Sequence, residues 1–286
     1  MTSSSIALLG VKGGPAIRPG SSMPTSTLVR MGGRTILVDA GLGTARGVCD
    51  QGVGLGEIDT ILITHLHGDH ILELGPLLYT AWTAGLKRKI VIYGPEGLTT
   101  YWAGFTASMV YDIDLRIHDE GHRDLAEFVE FRTIGEGVVI EDAGLVVRAM
   151  RNLHPPVTDS FSLRFEAGGK SVVLSGDTTF MPEMSAFARG CDVLVHEVYL
   201  DSAIDALCAR IGNADKEKKK AHFVRSHCRT EDAGRIAREA GVGMLVFNHF
   251  VPGDDPTLSD DDWRAGARNE WDGDIRIGRD GMVIEL

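Results

Sequence analysis

Cysteine is scarce in this chain and unpatterned. Cys49, Cys191, Cys208 and Cys228 form no Cys-x-x-Cys pair and no disulfide framework, which reads as reduced thiols in a cytoplasmic protein. No apolar run reaches the length of a membrane span, and Ile6-Ala7-Leu8-Leu9 lacks the basic flank of a signal peptide, so a first strand is expected there. Basic charge is also short: 29 Lys and Arg stand against 40 Asp and Glu, for a formal net charge of −11. A general nucleic-acid or anionic-membrane binder needs the opposite balance, so neither partner is expected. There is no Gly-x-Ser-x-Gly elbow to supply a serine nucleophile. Gly52-Val53-Gly54-Leu55-Gly56 precedes a strand instead of opening a helix after one, which excludes a dinucleotide loop.

What is present is a concentration of imidazole. Ile61-Leu62-Ile63 reads as a buried strand, and it runs directly into Thr64-His65-Leu66-His67-Gly68-Asp69-His70. Three imidazoles and a carboxylate within six residues carry a desolvation cost that calls for a common compensation. A metal ion is that compensation. His65 and His67 alternate and can face one ion, while Asp69 and His70 suit a second, adjacent one. Three more candidates each follow an apolar run: His154 after Leu145 to Met150, Asp177 in Ser175-Gly176-Asp177-Thr178, and His249 after Val246-Phe247-Asn248. Singly, each has an ordinary explanation as loop residue, helix cap or buried hydrogen-bonding His. Their shared position favours ligation, because loops converge at the carboxyl ends of parallel strands.

The coarse pattern is strand-rich at first, with hairpins about Gly32-Gly33 and Gly168-Gly169, then alternates strand and helix. Helices are expected at 71–85, 96–110, 200–211, 230–240 and 259–270, with 114–150 strand-rich and irregular. This suits an α/β fold of two sheets packed face to face with helices outside, in one domain spanning 1–286. The basic run Lys216-Glu217-Lys218-Lys219-Lys220 reads as a solvated helix face, with a flap near the site as the alternative. Trp82, Tyr101, Trp102, Phe105 and Tyr111 are expected in a core or dimer face, and as an alternative in an aromatic substrate pocket. His118, His122 and His222 are expected at the surface.

The series Thr-His-x-His-x-Asp-His, then His154, Gly-Asp-Thr and a late His, resembles the metallo-β-lactamase superfamily through most of the chain. The resemblance implies an αββα four-layer sandwich. It places His65, His67 and His154 on a first metal and Asp69, His70 and His249 on a second. Asp177 bridges both, and Asp39 supports the site from behind. Two Zn2+ are implied, with Mn2+ or iron as alternatives. His227-Cys228-Arg229-Thr230 before the helix at 230–240, together with His196-Glu197, resembles the ribonuclease Z branch. That likeness implies that His227 and Glu197 lie beside the metals, and that a homodimer forms. No Gly/Pro- and Lys-rich arm that would grip tRNA is found. His154-Pro155-Pro156-Val157 resembles instead the arylsulfatase-like hydrolases of the branch.

The resulting expectation is a dinuclear hydrolase. A metal-bridging hydroxide would cleave an ester-type bond (phosphodiester, sulfate ester, carboxyl ester or lactone) in an anionic or aromatic small molecule. Asp69 would relay a proton, and His227, ordered by Glu197, would act as general acid. The alternative is a tRNA 3′-end processing endoribonuclease.

Overall fold

The computed structural model describes residues 4–142 and 144–286. Six strands open the chain: β1 (Ser5–Gly10), β2 (Ser26–Met31), β3 (Arg34–Val38), β4 (Thr60–Leu62), β5 (Ile90–Gly94) and β6 (Val129–Thr133). Seven follow: β7 (Gly137–Asp142), β8 (Leu145–Arg151), β9 (Phe161–Ala167), β10 (Lys170–Leu174), β11 (Val193–Tyr199), β12 (Met244–Val251) and β13 (Asp274–Ile277). The last, β14 (Met282–Glu285), returns to pair with β1. Two mixed sheets result, in the orders β14-β1-β2-β3-β4-β5-β6 and β13-β12-β11-β10-β9-β8-β7.

The layering follows from the two-residue period of a strand. In β1, Ile6 and Leu8 enter the apolar cluster shared by both sheets, while Ala7 and Leu9 enter the cluster beneath the outer helices. In β3, Ile36 and Val38 face inward and Leu37 outward. From the second sheet, Leu163, Phe165, Val172 and Phe247 join the inner cluster. A strand buried on both faces must read as a continuous apolar run, as Ile61-Leu62-Ile63 does at β4. This is an αββα sandwich.

The helices in chain order are α1 (Thr44–Asp50), α2 (Gly68–Ile71), α3 (Leu74–Thr83), α4 (Leu98–His118), α5 (Glu183–Phe187), α6 (Asp201–Arg210), α7 (Lys216–Ser226), α8 (Thr230–Ala240) and α9 (Asp260–Glu270). None is long and apolar enough to cross a membrane. Helix α4 corrects the expected strand-rich character from 114 onward. Its last turns are held on the outside by Asp112–Arg116 (2.9 Å) and Arg116–Glu120 (3.1 Å), i,i+4 pairs that helical spacing alone brings together.

Helix α8 ends at Gly241, whose φ of 64° is the left-handed cap that glycine takes without strain. Its Gly234 lets α9 approach closely: a Cβ there would lie 2.7 Å from both Cα and O of Ala267. Because the obstacle is backbone, Gly234→Ala is expected to destabilise the protein by about 1–3 kcal/mol. Thermal unfolding would show a lowered Tm, and an unchanged Tm would mean that the helices part freely.

Candidate metal centre

The His-rich turn is fixed by Asp39. This residue follows β3 with a φ of 60°. Its carboxylate accepts from Thr64 N (2.8 Å), from Thr64 Oγ1 (2.9 Å) and from His70 Nδ1 (2.8 Å). It therefore ties the start of the turn to its end. Thr64 has one hydroxyl proton and gives it to Asp39, so its oxygen is left to accept from His65 Nδ1 at 3.2 Å. His154 Nδ1 donates to the Ser226 carbonyl at 2.8 Å. In His65, His70 and His154, then, the Nδ1 proton is committed and Nε2 presents a lone pair to the centre.

Those lone pairs converge. His67 Nδ1 lies 3.0 Å from His65 Nε2 and 3.1 Å from His154 Nε2. Asp177 Oδ2 is 3.8 Å from each of the same two Nε2 atoms. On the other side, His249 Nε2 is 3.2 Å from Asp69 Oδ2 and 3.1 Å from Asp177 Oδ2. His70 Nε2 is 3.4 Å from Asp177 Oδ1. His70 Nε2 and Asp177 Oδ1 are buried without a hydrogen-bond partner. Two donor groups result, His65/His67/His154/Asp177 and Asp69/His70/Asp177/His249, and Asp177 belongs to both. Facing lone pairs with no proton between them fit a divalent cation and little else.

Local backbone devices aim these side chains. Asp177 follows Gly176 (φ 59°), where a Cβ would come within 2.5 Å of the Phe161 carbonyl. His249 is the extra residue of a β-bulge: Glu197 pairs with Asn248 and Val198 with Phe250, so His249 is left unpaired at φ 47°. Such a bulge turns one side chain out of the strand's alternation. Gly13 packs on the His249 ring, and Gly14 N donates to Asp69 Oδ2 at 2.7 Å.

A third group adjoins these two. His227 Nδ1 lies 3.0 and 3.1 Å from the two oxygens of Glu197, and the His227 ring stacks on His249 at 5.5 Å. Glu197 also accepts from Thr178 N at 2.8 Å. Burial lowers the pKa of His227, but Glu197, Asp177 and Asp69 outweigh it and raise the net value. Burial pushes the His154 pKa down to about 4. Burial opposes ionisation of Asp69, yet His70 and His249 hold its carboxyl far below the usual range.

The centre opens into a cavity of about 620 Å3. Two residues lining it escape sequence reasoning. His222, expected at the surface, is half-buried on α7, with its ring 6.4 Å from those of both His67 and His154. Its place follows from α7: it stands one helical turn before Ser226, whose carbonyl holds His154. Lys12, just past the end of β1, is buried and also lines the cavity. The basic run forms the first turns of α7, and its Lys219 reaches the cavity. The aromatic residues of 82–111 do not line it: Trp82 is in the outer core and Tyr111 is 82% exposed.

Relatives match the chain over most of their own length. Ribonuclease Z of Mycolicibacterium gilvum is 34% identical over 278 residues, covering 96% of this chain and 93% of that protein. Ribonuclease Z of Mycobacterium bovis is 33% identical over 284 residues, covering 98% of each. Residues 5–232 match the family model described as Anti-Pycsar protein Apyc1. The chain belongs to that family and to the ribonuclease Z-like part of the metallo-β-lactamase superfamily. The fold agrees with two solved superfamily structures. The metallo-β-lactamase fold protein YhfI from Bacillus subtilis has a TM-score of 0.70 at 21% identity, covering 99% of this chain and 100% of that one. Human tRNase Z, short form, has a TM-score of 0.68 at 22% identity, covering 98% of each.

The superfamily assignment and the two His/Asp groups make the protein a metal-dependent hydrolase with a divalent-metal site. One expectation is overturned. A small-molecule substrate, with nucleic acid excluded by charge, does not stand against full-length relatives named for ribonuclease activity. The reason is one of scale: net charge sums the whole surface, whereas a substrate meets a local field. Around this cavity stand Lys12, Arg18, Arg210 and Lys219.

Proposed function

We propose that the protein is a zinc-dependent phosphodiesterase acting on RNA, which removes the 3′ trailer of pre-tRNA by a single endonucleolytic cut. One observation carries this reading. Two His/Asp donor groups share Asp177, and a buried His–Glu pair stands directly beside them. The full-length relatives named ribonuclease Z supply the substrate class.

In this reading His65, His67 and His154 would hold one Zn2+ and Asp69, His70 and His249 the other, with Asp177 available to both groups. Such ions lower the pKa of bound water from 15.7 to about 7 and polarise a phosphoryl oxygen. Asp69, held by Gly14 N and facing His249, would orient the attacking water and relay its proton. His227 turns Nδ1 to Glu197, which leaves Nε2 to donate a proton to the departing ribose oxygen. Glu197 keeps His227 charged until that transfer.

The test uses full-length protein loaded with zinc. A pre-tRNA bearing a 3′ trailer is expected to be cut once at the trailer junction, and bis(4-nitrophenyl) phosphate to be hydrolysed. Elemental analysis is expected to find about two zinc per chain, the count of a two-metal site. Hydrolysis of the chromogenic ester without trailer removal would refute the RNA assignment. Failure with both substrates would refute the phosphodiesterase itself.

A further inference from the structure

A lysine ammonium is among the most expensive groups to bury, so a buried one needs partners. Lys12 is 3% exposed. Its Nζ donates to the carbonyls of Gly13 and Gly14, each at 3.0 Å. Those two bonds use two of its three protons, and neither acceptor carries a full charge. Among the described residues no carboxylate closes an ion pair with it. Burial lowers its pKa from the ordinary lysine value, with Asp254 and Asp69 acting the other way through space.

The other cations at the cavity divide sharply. Arg18 pairs with Asp254, and Arg210 pairs with Asp254 (3.3 Å) and Asp255 (3.0 Å), so both guanidinium groups are already balanced. On α7, Lys220 pairs with Asp205, but Lys219 sits over the Phe223 ring at 5.0 Å without a carboxylate. The cavity thus presents two ammonium groups, Lys12 and Lys219, that close no ion pair with a carboxylate among the described residues. Lys12 also stands where it does for a reason: its own next two residues brace the centre, Gly13 against His249 and Gly14 on Asp69. A group bound at Lys12 is therefore adjacent to the metal centre but outside the donor set.

We propose that Lys12 and Lys219 form a second anion subsite, which holds the phosphate next to the scissile one in an RNA strand. The inference rests on the phosphodiesterase reading above and deepens it. The scissile phosphate is served by the metal centre; the neighbouring phosphate would otherwise enter a cavity whose arginines are already paired. Leu207, Ile211 and Phe223 line the same cavity and give the intervening nucleoside an apolar wall. The subsite explains how a chain of net charge −11 holds a polyanion: fixed lysine charge is concentrated at the one place where the strand must be in register.

The test is calorimetric, on full-length zinc-loaded protein, with adenosine 5′-monophosphate and adenosine 3′,5′-bisphosphate as probes. The wild-type protein is expected to bind the bisphosphate at least about tenfold more tightly, the second phosphate meeting a charge-assisted site. Lys12→Met keeps the aliphatic stem. It is expected to erase most of that preference while leaving zinc content and the monophosphate Kd unchanged. Lys219→Met, on an accessible helix, is expected to narrow the preference in part, and added salt is expected to narrow it in the wild-type protein. These two measurements decide the matter if Lys12→Met does not fold. Equal weakening of both ligands together with zinc loss would show that Lys12 merely props the Gly13-Gly14 loop, and would overturn the proposal. So would a bisphosphate preference that is absent in the wild-type protein, or one that survives both substitutions and salt. If the preference is present but no phosphodiester is hydrolysed, the subsite stands and the enzymatic reading falls.

Discussion

Asp177→Ala is expected to empty both halves of the metal centre at once. The carboxylate is the one side chain common to the two donor groups: Oδ2 faces His65, His154 and His249, and Oδ1 faces His70. Losing any single histidine spares one group, whereas losing Asp177 breaks each of them. Without the metals, water returns towards its ordinary acidity, and phosphodiester cleavage is expected to fall by at least about 10⁴-fold. Elemental analysis should show less than one zinc per chain. Asp39→Asn offers the contrast. Asp39 orients Thr64 and His70 without joining either group, and a supporting residue of this kind costs about 10–100-fold in affinity or activity. If Asp177→Ala kept both metals and most of its rate, the shared-carboxylate arrangement would have no functional meaning.

The second large effect concerns His227. His227→Ala is expected to keep the metals, because His227 contributes to neither of the two principal donor groups. Its loss removes a general acid, which costs about 10²–10⁴-fold. The loss should depend on the leaving group: severe for a ribose oxygen, slight for 4-nitrophenolate, which departs without a proton. A uniform loss would remove His227 from proton transfer. Glu197 supplies a pH test of the same idea. Burial lowers the His227 pKa, and the Glu197 carboxylate is the largest influence raising it. Glu197→Gln removes that charge, so the His227 pKa must fall. The protonated, active form is then lost earlier, and the alkaline limb of kcat should move to lower pH. A limb that stayed in place, or moved upward, would contradict the pairing.

How much of this was legible in the sequence depended on how local the signal was. The ligand candidates could be read because each stands just after an apolar run in the sequence, so that one short window contains both the run and the polar residue, although His249 proves to lie within β12 and not beyond it. His65 to His70 is the extreme case. The sandwich was legible for the same reason, since the two-residue period of a strand sends alternate members of Ile6-Ala7-Leu8-Leu9 to two different layers. The roles suggested for His227 and Glu197 came from a resemblance, because they lie 30 residues apart and no local pattern joins them. The cavity wall was not legible. Lys12, Lys219 and His222 meet only after β1, α7 and β12 are assembled, and each alone looks like an ordinary surface residue. Helix α4 was cut short because exposed helices carry a weak apolar period and are held by charge pairs instead. The composition argument failed for a related reason: a whole-chain charge sum contains no positions.

The surplus residue in β12 has a consequence for anyone altering this protein. On either side of His249 the strand keeps a regular ladder with β11, but the two stretches are out of phase by one residue. Trimming one position to make the pairing uniform would look like an improvement by backbone criteria alone. It would in fact delete His249 itself, whose Nε2 lies 3.1 Å from Asp177 Oδ2, while Phe250 and Val251 kept their partners Val198 and Tyr199. An apparent flaw thus lets a single strand stay paired on both sides while it lends one side chain to the donor groups, and homogenising designs should leave it alone.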